Sequence, residues 1–509
     1  MKIAVAYPPI ESPKGTALLS QNRQFQYFNA PTYIYPMVPA YAATHLKSNG
    51  YDVLWMDGIA QRKTYAQFLE QLEKEKPDLI MMETKTPVIK KQWKQITDLK
   101  ARFPEMKIVI VGDHVTWNPE ETLRACPVDY ILTGGDYDFG IVNLVRALEG
   151  REDMEGGVYW KEGDQIKNSG PMKLKAHKLD DLPMVDRDLT EWKSYAYHNG
   201  NYKYFPGTYM YTGRDCWWNR CTFCVWDHTL YPQGTFRAHS PERALDEVGV
   251  LIEKYGVKEI FDDCGTLPIG AWLKKFCEGM IERGYHKKVR YGCNMRVNAL
   301  TQAEYDLMGK ARFRFILYGI ESGNQKTLDM LDKGCKVEEI EQGLKMAKQA
   351  GLEPHITVMM GYPWEDKADS QRTVDLTHRL FSKGYVDTLQ GTIVVPYPGT
   401  PLYKLCKEKG WLKTEDWDRY DMRESVMINP VSDEEIRAFT QDLYKSFMSP
   451  QFITRKLMSI RSLDDMKFYA IAGKKFAGHL LDFKKKQPDY LADQSNSHTP
   501  AMPVSQNAA

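Results

Sequence analysis

The chain has 509 residues, 43% hydrophobic and 27% charged, with a formal net charge of +1. This size and composition allow at least two cores and exclude a disordered or fibrous protein. The balanced charge gives no broad electrostatic footprint for nucleic acid, and no stretch approaches the roughly 18 unbroken apolar residues of a membrane helix. The opening Met1-Lys2-Ile3-Ala4-Val5-Ala6-Tyr7 reads as a strand and not as a secretory signal, so a cytoplasmic location is expected.

From the amino terminus, short apolar runs alternate with helix-like segments. Ile3–Tyr7, Val53–Met56, Leu79–Met82, Ile108–Val111 and Tyr130–Leu132 predict strands, while Val38–Ser48, Tyr65–Lys76, Lys91–Ala101 and Ile141–Leu148 predict helices. The alternation predicts a doubly wound parallel sheet over residues 1–150, with ligands beyond the carboxyl ends of its strands. The loops there begin at Pro8, Asp57, Thr84, Gly112 and Gly134. Residues 151–200 dissolve into Gly, Asp, Lys and Pro and read as a connector laid across a surface. Over 201–420 a second α/β series predicts strands at Thr208–Tyr211, Glu259–Asp262, Lys288–Asn294, Phe313–Gly319, Glu353–Met360 and Thr388–Val395. One of the helices between them opens at Ser240-Pro241-Glu242. Six such βα units predict an incomplete (β/α) barrel. Residues 421–485, periodic at Glu434–Met448 and Ile453–Ile460, predict a small helical carboxyl-terminal cap, and 486–509 have the polar composition of a disordered tail.

An odd count of nine cysteines argues against a disulfide framework. Cys126, Cys264, Cys277, Cys293, Cys335 and Cys406 are scattered and read as thiols packed like small hydrophobes. Cys216, Cys221 and Cys224 stand together in a Cys-x4-Cys-x2-Cys array just after the first strand of the second domain. Soft thiolates at this spacing select zinc or an iron–sulfur cluster, and three of them leave one iron of a four-iron cluster open to a substrate. Zinc would need His228 as a fourth ligand, although structural zinc sites usually join two separated ligand pairs.

The array, with Phe223 before its last cysteine, resembles the cluster loop of the radical S-adenosylmethionine superfamily, widened by one residue between Cys216 and Cys221. Further segments resemble that superfamily in order: Cys293-Asn294-Met295-Arg296-Val297, Tyr318-Gly319-Ile320-Glu321-Ser322-Gly323, Met360-Gly361-Tyr362-Pro363-Trp364-Glu365 and Pro398-Gly399-Thr400-Pro401-Leu402-Tyr403. The resemblance implies that Cys216, Cys221 and Cys224 hold a [4Fe-4S] cluster and that Phe223, Arg296, Glu321, Ser322 and Gly361 lie at the S-adenosylmethionine site. It also implies a small-molecule substrate and an external one-electron donor such as flavodoxin or ferredoxin. Asp262-Asp263 stands at another predicted strand end, where turn capping and a substrate or proton role weigh about equally.

The first strand is followed by Tyr7-Pro8-Pro9-Ile10, so the dinucleotide fingerprint is absent. Val111–Thr116 and Asp129–Gly135 resemble strand ends of the cobalamin-binding domains in the cobalamin-dependent branch of the superfamily. That resemblance implies a cobalamin-binding amino-terminal domain with contacts at Asp57, Thr84, Gly112 and Gly134. Asp57-Gly58-Ile59-Ala60 lacks the histidine that ligates cobalt in cobalamin carriers, and His114 reads as a loop histidine bonded to backbone. The group resembled includes the anaerobic magnesium-protoporphyrin monomethyl ester cyclase and hopanoid-modifying enzymes. It implies radical methylation of an unactivated carbon, with a non-methylating cyclisation or rearrangement of a tetrapyrrole or lipid as the alternative. A cobalamin-binding sensor without turnover is the remote third reading.

Overall fold

The apolar runs near the amino terminus leave neither face fit for water, and each becomes a strand buried inside a parallel sheet. The computed structural model describes residues 1–19, 25–28, 32–197, 199, 202–460, 465–466, 468–470 and 473. Strands β1 (Lys2–Tyr7), β2 (Asp52–Asp57), β3 (Leu79–Thr84), β4 (Lys107–Gly112) and β5 (Tyr130–Leu132) run parallel. All six residues of β3 are buried. The intervening helices Met37–Ser48, Tyr65–Glu75, Ile89–Arg102 and Tyr137–Leu148 cover the sheet, and Thr64 with Gln67 closes a capping box on the second of them.

Residues 151–200 differ from the expected surface connector. Val158–Glu162 (β6) and Gln165–Asn168 (β7) form an antiparallel hairpin on β5, so the sheet order is β2-β1-β3-β4-β5-β6-β7. The hairpin is too short for its Val-Tyr-Trp alternation to stand out against polar neighbours, and Gly163 at φ +57 makes its turn. Further along, Arg187 is only 1% exposed and donates to Thr208 Oγ1 (2.8 Å), the Tyr209 carbonyl (2.8 Å) and Glu247 (3.2 Å). A polar stretch can be buried where each polar group meets a partner, and composition does not show partners.

The second sheet is a parallel half-barrel with its strands in chain order: β8 (Gly207–Met210), β9 (Glu259–Asp262), β10 (Arg290–Met295), β11 (Phe313–Glu321), β12 (Glu353–Met360) and β13 (Thr388–Ile393). Ser240 caps the helix Pro241–Glu253 between β8 and β9, with proline in its first turn. After the barrel come a 3-10 turn at Trp417–Arg419 and the helices Asp433–Leu443 and Pro450–Met458. The core under the first sheet, including Ala4, Ile80, Met82, Ile108 and Ile110, runs on into Val225, Val395, Tyr397 and Trp417 from the second half.

Met1–Met458 forms one unit and Ser459–Ala509 a second. Within the second, the Ser459 and Tyr469 hydroxyls lie 3.0 Å apart. The expected tail at 486–509 and most of 461–485 lie outside the described residues.

Candidate active site

The cysteine loop leaves β8 and is pinned at its base, where Gly213–Arg214 pairs antiparallel with Arg237–Ala238. Inside it, Trp217 and Trp218 donate to the carbonyls of Leu267 (3.2 Å) and Asp332 (2.9 Å), and Thr222 N donates to the Leu331 carbonyl (2.9 Å). Leu402 N donates to the Thr222 carbonyl at 2.9 Å, so the Pro398–Tyr403 segment braces the loop from the far end of the barrel. Within the wider first spacing of the array, Asn219 adopts a left-handed φ of 50° and donates to the Tyr231 carbonyl at 2.9 Å. Asparagine tolerates that conformation better than most residues.

Cys216, Cys221 and Cys224 are free thiols, and burial pushes Cys216 up to about 12 and Cys221 up to about 11. Cys224 is raised too, by burial and by the nearby Asp227 and Asp215 carboxylates. Thiols in such a setting become ligands when a metal displaces their protons. Three soft donors on one braced loop fit an iron–sulfur cluster. His228 Nε2 lies 3.1 Å from the Cys221 carbonyl oxygen, so the imidazole braces the loop instead of completing a zinc set.

Strand ends of the barrel gather polar groups against this loop. Glu321 closes β11 with φ 61° and is 5% exposed, and its Oε1 accepts from Lys333 Nζ at 2.7 Å. Lys333 lies 5.8 Å from the Phe223 ring centre. Arg296, at the end of β10, donates to the Lys333 and Gly334 carbonyls and stacks on Trp218 at 4.1 Å. Ser322 is fully buried and donates to Glu365 Oε1 at 2.9 Å, as Thr327 does at 2.6 Å, while burial pushes Glu365 up to about 7. Gly361 has φ 90° beneath Ile436, whose Cγ2 would stand 3.1 Å from an added Cβ. Ser322 thus faces Glu365, and Arg296 faces backbone and an indole. Lys333 and Trp218 were not legible as site residues, since isolated lysines and tryptophans carry no positional signal.

Asp262 accepts from Thr212 N (3.1 Å) and Tyr291 Oη (2.9 Å), and Asp263 accepts from Asn294 Nδ2 at 3.1 Å. Through these bonds Asp262 braces the barrel from inside.

At the first sheet, Asp57 Oδ1 accepts from Ile59 N (3.0 Å) and Ala60 N (2.9 Å), and Oδ2 accepts from Tyr195 Oη (2.5 Å). Burial lifts Asp57 to about 6 against these bonds, and it lines a small open pocket with Tyr7, Tyr33 and Tyr195. The Thr84 hydroxyl turns inward to Gln92. Gly112 (φ 121°) and Gly134 (φ 82°) are close-approach positions, where a Cβ would fall 2.2 Å from the Thr84 carbonyl oxygen and 2.7 Å from Met172 Sδ. His114 departs from the backbone-bonded expectation. Its Nδ1 meets Thr86 Oγ1 (3.3 Å) and its Nε2 meets Glu121 Oε2 (3.1 Å), because Asp113–Trp117 is a helical turn and the ring projects off it between Trp117 and Trp417.

Strand order reverses between β1 and β3, which is where open α/β sheets bind ligands. Glu83, one residue from the end of β3, is 2% exposed and takes a hydrogen bond from Tyr7, and burial pushes it up to about 8. Its Oε1 and the buried Tyr137 hydroxyl complete no hydrogen bond of good geometry. Glu83, Tyr7 and Tyr137 thus form a buried polar set beneath the switch point, and the strand ends above it are where a cofactor of the B12 type would sit. Trp226, just after Cys224, lies 5.7 Å from the Lys85 ammonium, so the cysteine loop faces these strand ends.

Residues 28–139 match the B12 binding domain family and residues 210–377 the radical SAM superfamily. An uncharacterized methyltransferase of Pyrococcus horikoshii is 27% identical over 421 residues, covering 81% of this chain and 87% of that protein. The anaerobic magnesium-protoporphyrin IX monomethyl ester cyclase of Cereibacter sphaeroides is 25% identical over 77% of this chain and 63% of its own length. In fold, the chain is similar to the cobalamin-dependent S-adenosylmethionine radical enzyme OxsB solved with aqua-cobalamin and S-adenosylmethionine bound. The TM-score is 0.68 at 16% identity, over 93% of this chain and 71% of that one. Both family matches fall on the two sheets whose strand ends meet at the cysteine loop. The chain therefore joins a B12 binding domain to a radical SAM domain, and the cofactors of that pairing are cobalamin, S-adenosylmethionine and a [4Fe-4S] cluster.

Proposed function

We propose that this enzyme methylates an unactivated carbon of a small molecule. The observation that carries the reading is the seating of the cysteine loop on the strand ends of the cobalamin-binding sheet, with Trp226 against Lys85. One substrate held at that junction reaches both cofactors. When bound, the cluster supplies the electron that splits S-adenosylmethionine to a 5′-deoxyadenosyl radical, and the corrinoid supplies the methyl group. Cys216, Cys221 and Cys224 hold the cluster, with Phe223 packed beside them. Glu321 and Lys333 offer a carboxylate and an ammonium 2.7 Å apart, matching the two opposite charges of the methionyl end. Arg296 and Ser322 position their neighbours, and Gly361 lets the chain pass under Ile436. Gly112 and Gly134, packed against Thr84 and Met172, set the backbone at the strand ends that border the corrinoid, and Asp57 and Thr84 shape the loops beside it.

The reducing electron comes from a small external donor such as flavodoxin or ferredoxin, and nine free cysteines suit a reducing cytoplasm. The cyclase relative favours a second reading, radical rearrangement without methyl transfer. Anaerobic incubation of the loaded enzyme with reductant and methyl-deuterated S-adenosylmethionine separates the two. Methylation releases both 5′-deoxyadenosine and S-adenosylhomocysteine, the second only when cobalamin is present. Release of 5′-deoxyadenosine alone supports the cyclase reading, and release of neither refutes both.

A further inference from the structure

We propose that the turn Gly134–Asp138 couples the two cofactor sites, so that the cluster and cobalamin each strengthen binding of the other. Both flanks of the cysteine loop bond to this one turn. On the amino-terminal flank, Arg214 is fully buried and donates through Nη2 to Asp138 Oδ2 (2.7 Å) and through Nη1 to Asp138 Oδ1 (3.4 Å). Its Nη1 also stands 3.6 Å from Asp136 Oδ1, and the guanidinium lies between the rings of Tyr41 (5.6 Å) and Tyr211 (5.2 Å). On the carboxyl-terminal flank, Tyr231 Oη donates to the Gly135 carbonyl (2.8 Å) and Gly135 N donates to the Leu230 carbonyl (3.1 Å). Arg237, on the strand paired with Gly213–Arg214, grips Asp136 through Nη1 (2.6 Å) and Nη2 (3.1 Å).

Asp136, Asp138 and Arg214 are all 0% exposed. Separating such charges leaves each unpaired in a dry interior, which is strongly destabilising. A Cβ on Gly135 would also fall 2.0 Å from the Tyr231 ring, so that ring packs directly against the Gly135 backbone. The loop therefore shifts only with the turn. The first residue of that turn is Gly134, the position assigned above to cobalamin, and the inference rests on that reading. A cluster that orders the loop pre-orders the turn, and binding coupled through one shared element is reciprocal.

The test compares hydroxocobalamin affinity in cluster-free and cluster-loaded full-length protein, followed by absorbance. The wild type is expected to bind about tenfold more tightly with the cluster in place, a coupling of ~1.4 kcal/mol. In Asp138→Asn the ligand still binds, but the ratio falls towards one. Tyr231→Phe removes only a hydroxyl and gives the same reading should Asp138→Asn fail to fold. A wild-type ratio of one, or an undiminished ratio in the variants, overturns the coupling. A wild type that binds no hydroxocobalamin overturns the underlying cobalamin reading as well.

Discussion

Glu321→Gln separates the ion pairing of this carboxylate with Lys333 from the S-adenosylmethionine-binding role proposed for it. Glu321 and Lys333 are 5% and 9% exposed and 2.7 Å apart, so each neutralises the other out of water. Burial opposes the charge on Lys333, and Glu321 more than restores it. Removing one partner of a buried pair costs about 3 kcal/mol at the lower end of the usual range, and the new amide oxygen returns about 1 kcal/mol as a neutral acceptor. The net loss is then about 2 kcal/mol, read as a lowered urea midpoint of cofactor-free protein. S-adenosylmethionine affinity of cluster-loaded protein, measured by equilibrium dialysis, should fall roughly ten- to a hundredfold through loss of a charge-assisted bond. Adding Lys333→Met removes the stranded ammonium, so stability should recover while affinity stays low. A Glu321→Gln protein with wild-type midpoint and wild-type affinity would refute the reasoning, and recovery of both properties in the double variant would refute the binding role alone.

Changing Cys216, Cys221 or Cys224 to Ala should abolish the broad visible iron–sulfur absorption and S-adenosylmethionine cleavage, whereas Cys277→Ala, buried in the helix Ala271–Glu282, should leave both intact. His114→Ala should bind cobalamin with an unchanged cobalt spectrum, because both ring nitrogens already face Thr86 and Glu121. The loss of its packing against Trp117 and Trp417 should cost roughly 2 kcal/mol in thermal or urea unfolding. Burial opposes protonation of His177, but hydrogen bonds to Asp136 (2.9 Å) and Glu155 (2.7 Å) overcome it and raise the imidazole to about 9. Phe139 stacks on that ring at 4.4 Å, and Arg237 donates to the His177 backbone carbonyl. A raised pKa means stability held in full below the unfolded value near 6.5 and lost as pH climbs through 9. Unfolding midpoints should therefore fall over that window by the equivalent of about 2 kcal/mol, after allowing for solvent at Glu155, and His177→Gln should flatten the dependence.

What the sequence showed well was whatever is local. Strands such as β3 were legible because parallel strands are buried on both faces and read as unbroken apolar runs, and even there Glu83 lay hidden among them. The cluster loop was legible because its three thiols lie on one short stretch. The surroundings were not. Lys333 reaches Glu321 only because a helical turn after β11 folds back, and Arg214 meets Asp138 across 76 positions of chain. The hairpin on β5 and the buried Arg187 were lost in a polar stretch whose partners lie in other elements.

Among the described residues, two of the seams that join the halves of the first unit differ in their physics. One is aromatic: Trp417 from the segment after the barrel packs on His114 (5.4 Å) and Trp117 (5.7 Å), while Glu121 of the first domain accepts from both His114 and Trp417. Such contacts supply area and dispersion, tolerate small slips, and hold the domains together. The other is the charged set of Asp136, Asp138, Arg214 and Arg237, whose net energy is small after desolvation but whose geometry admits little variation. Apolar contact alone would let the sheets slide by fractions of an ångström. A reaction that must bring one substrate carbon to two cofactors is sensitive on that scale. The ionic seam lies beside the cysteine loop and the aromatic seam beside His114. On the proposed reading, the charged seam fixes the register of the turn Gly134–Asp138 against the cysteine loop, and the aromatic seam supplies adhesion between the same two halves.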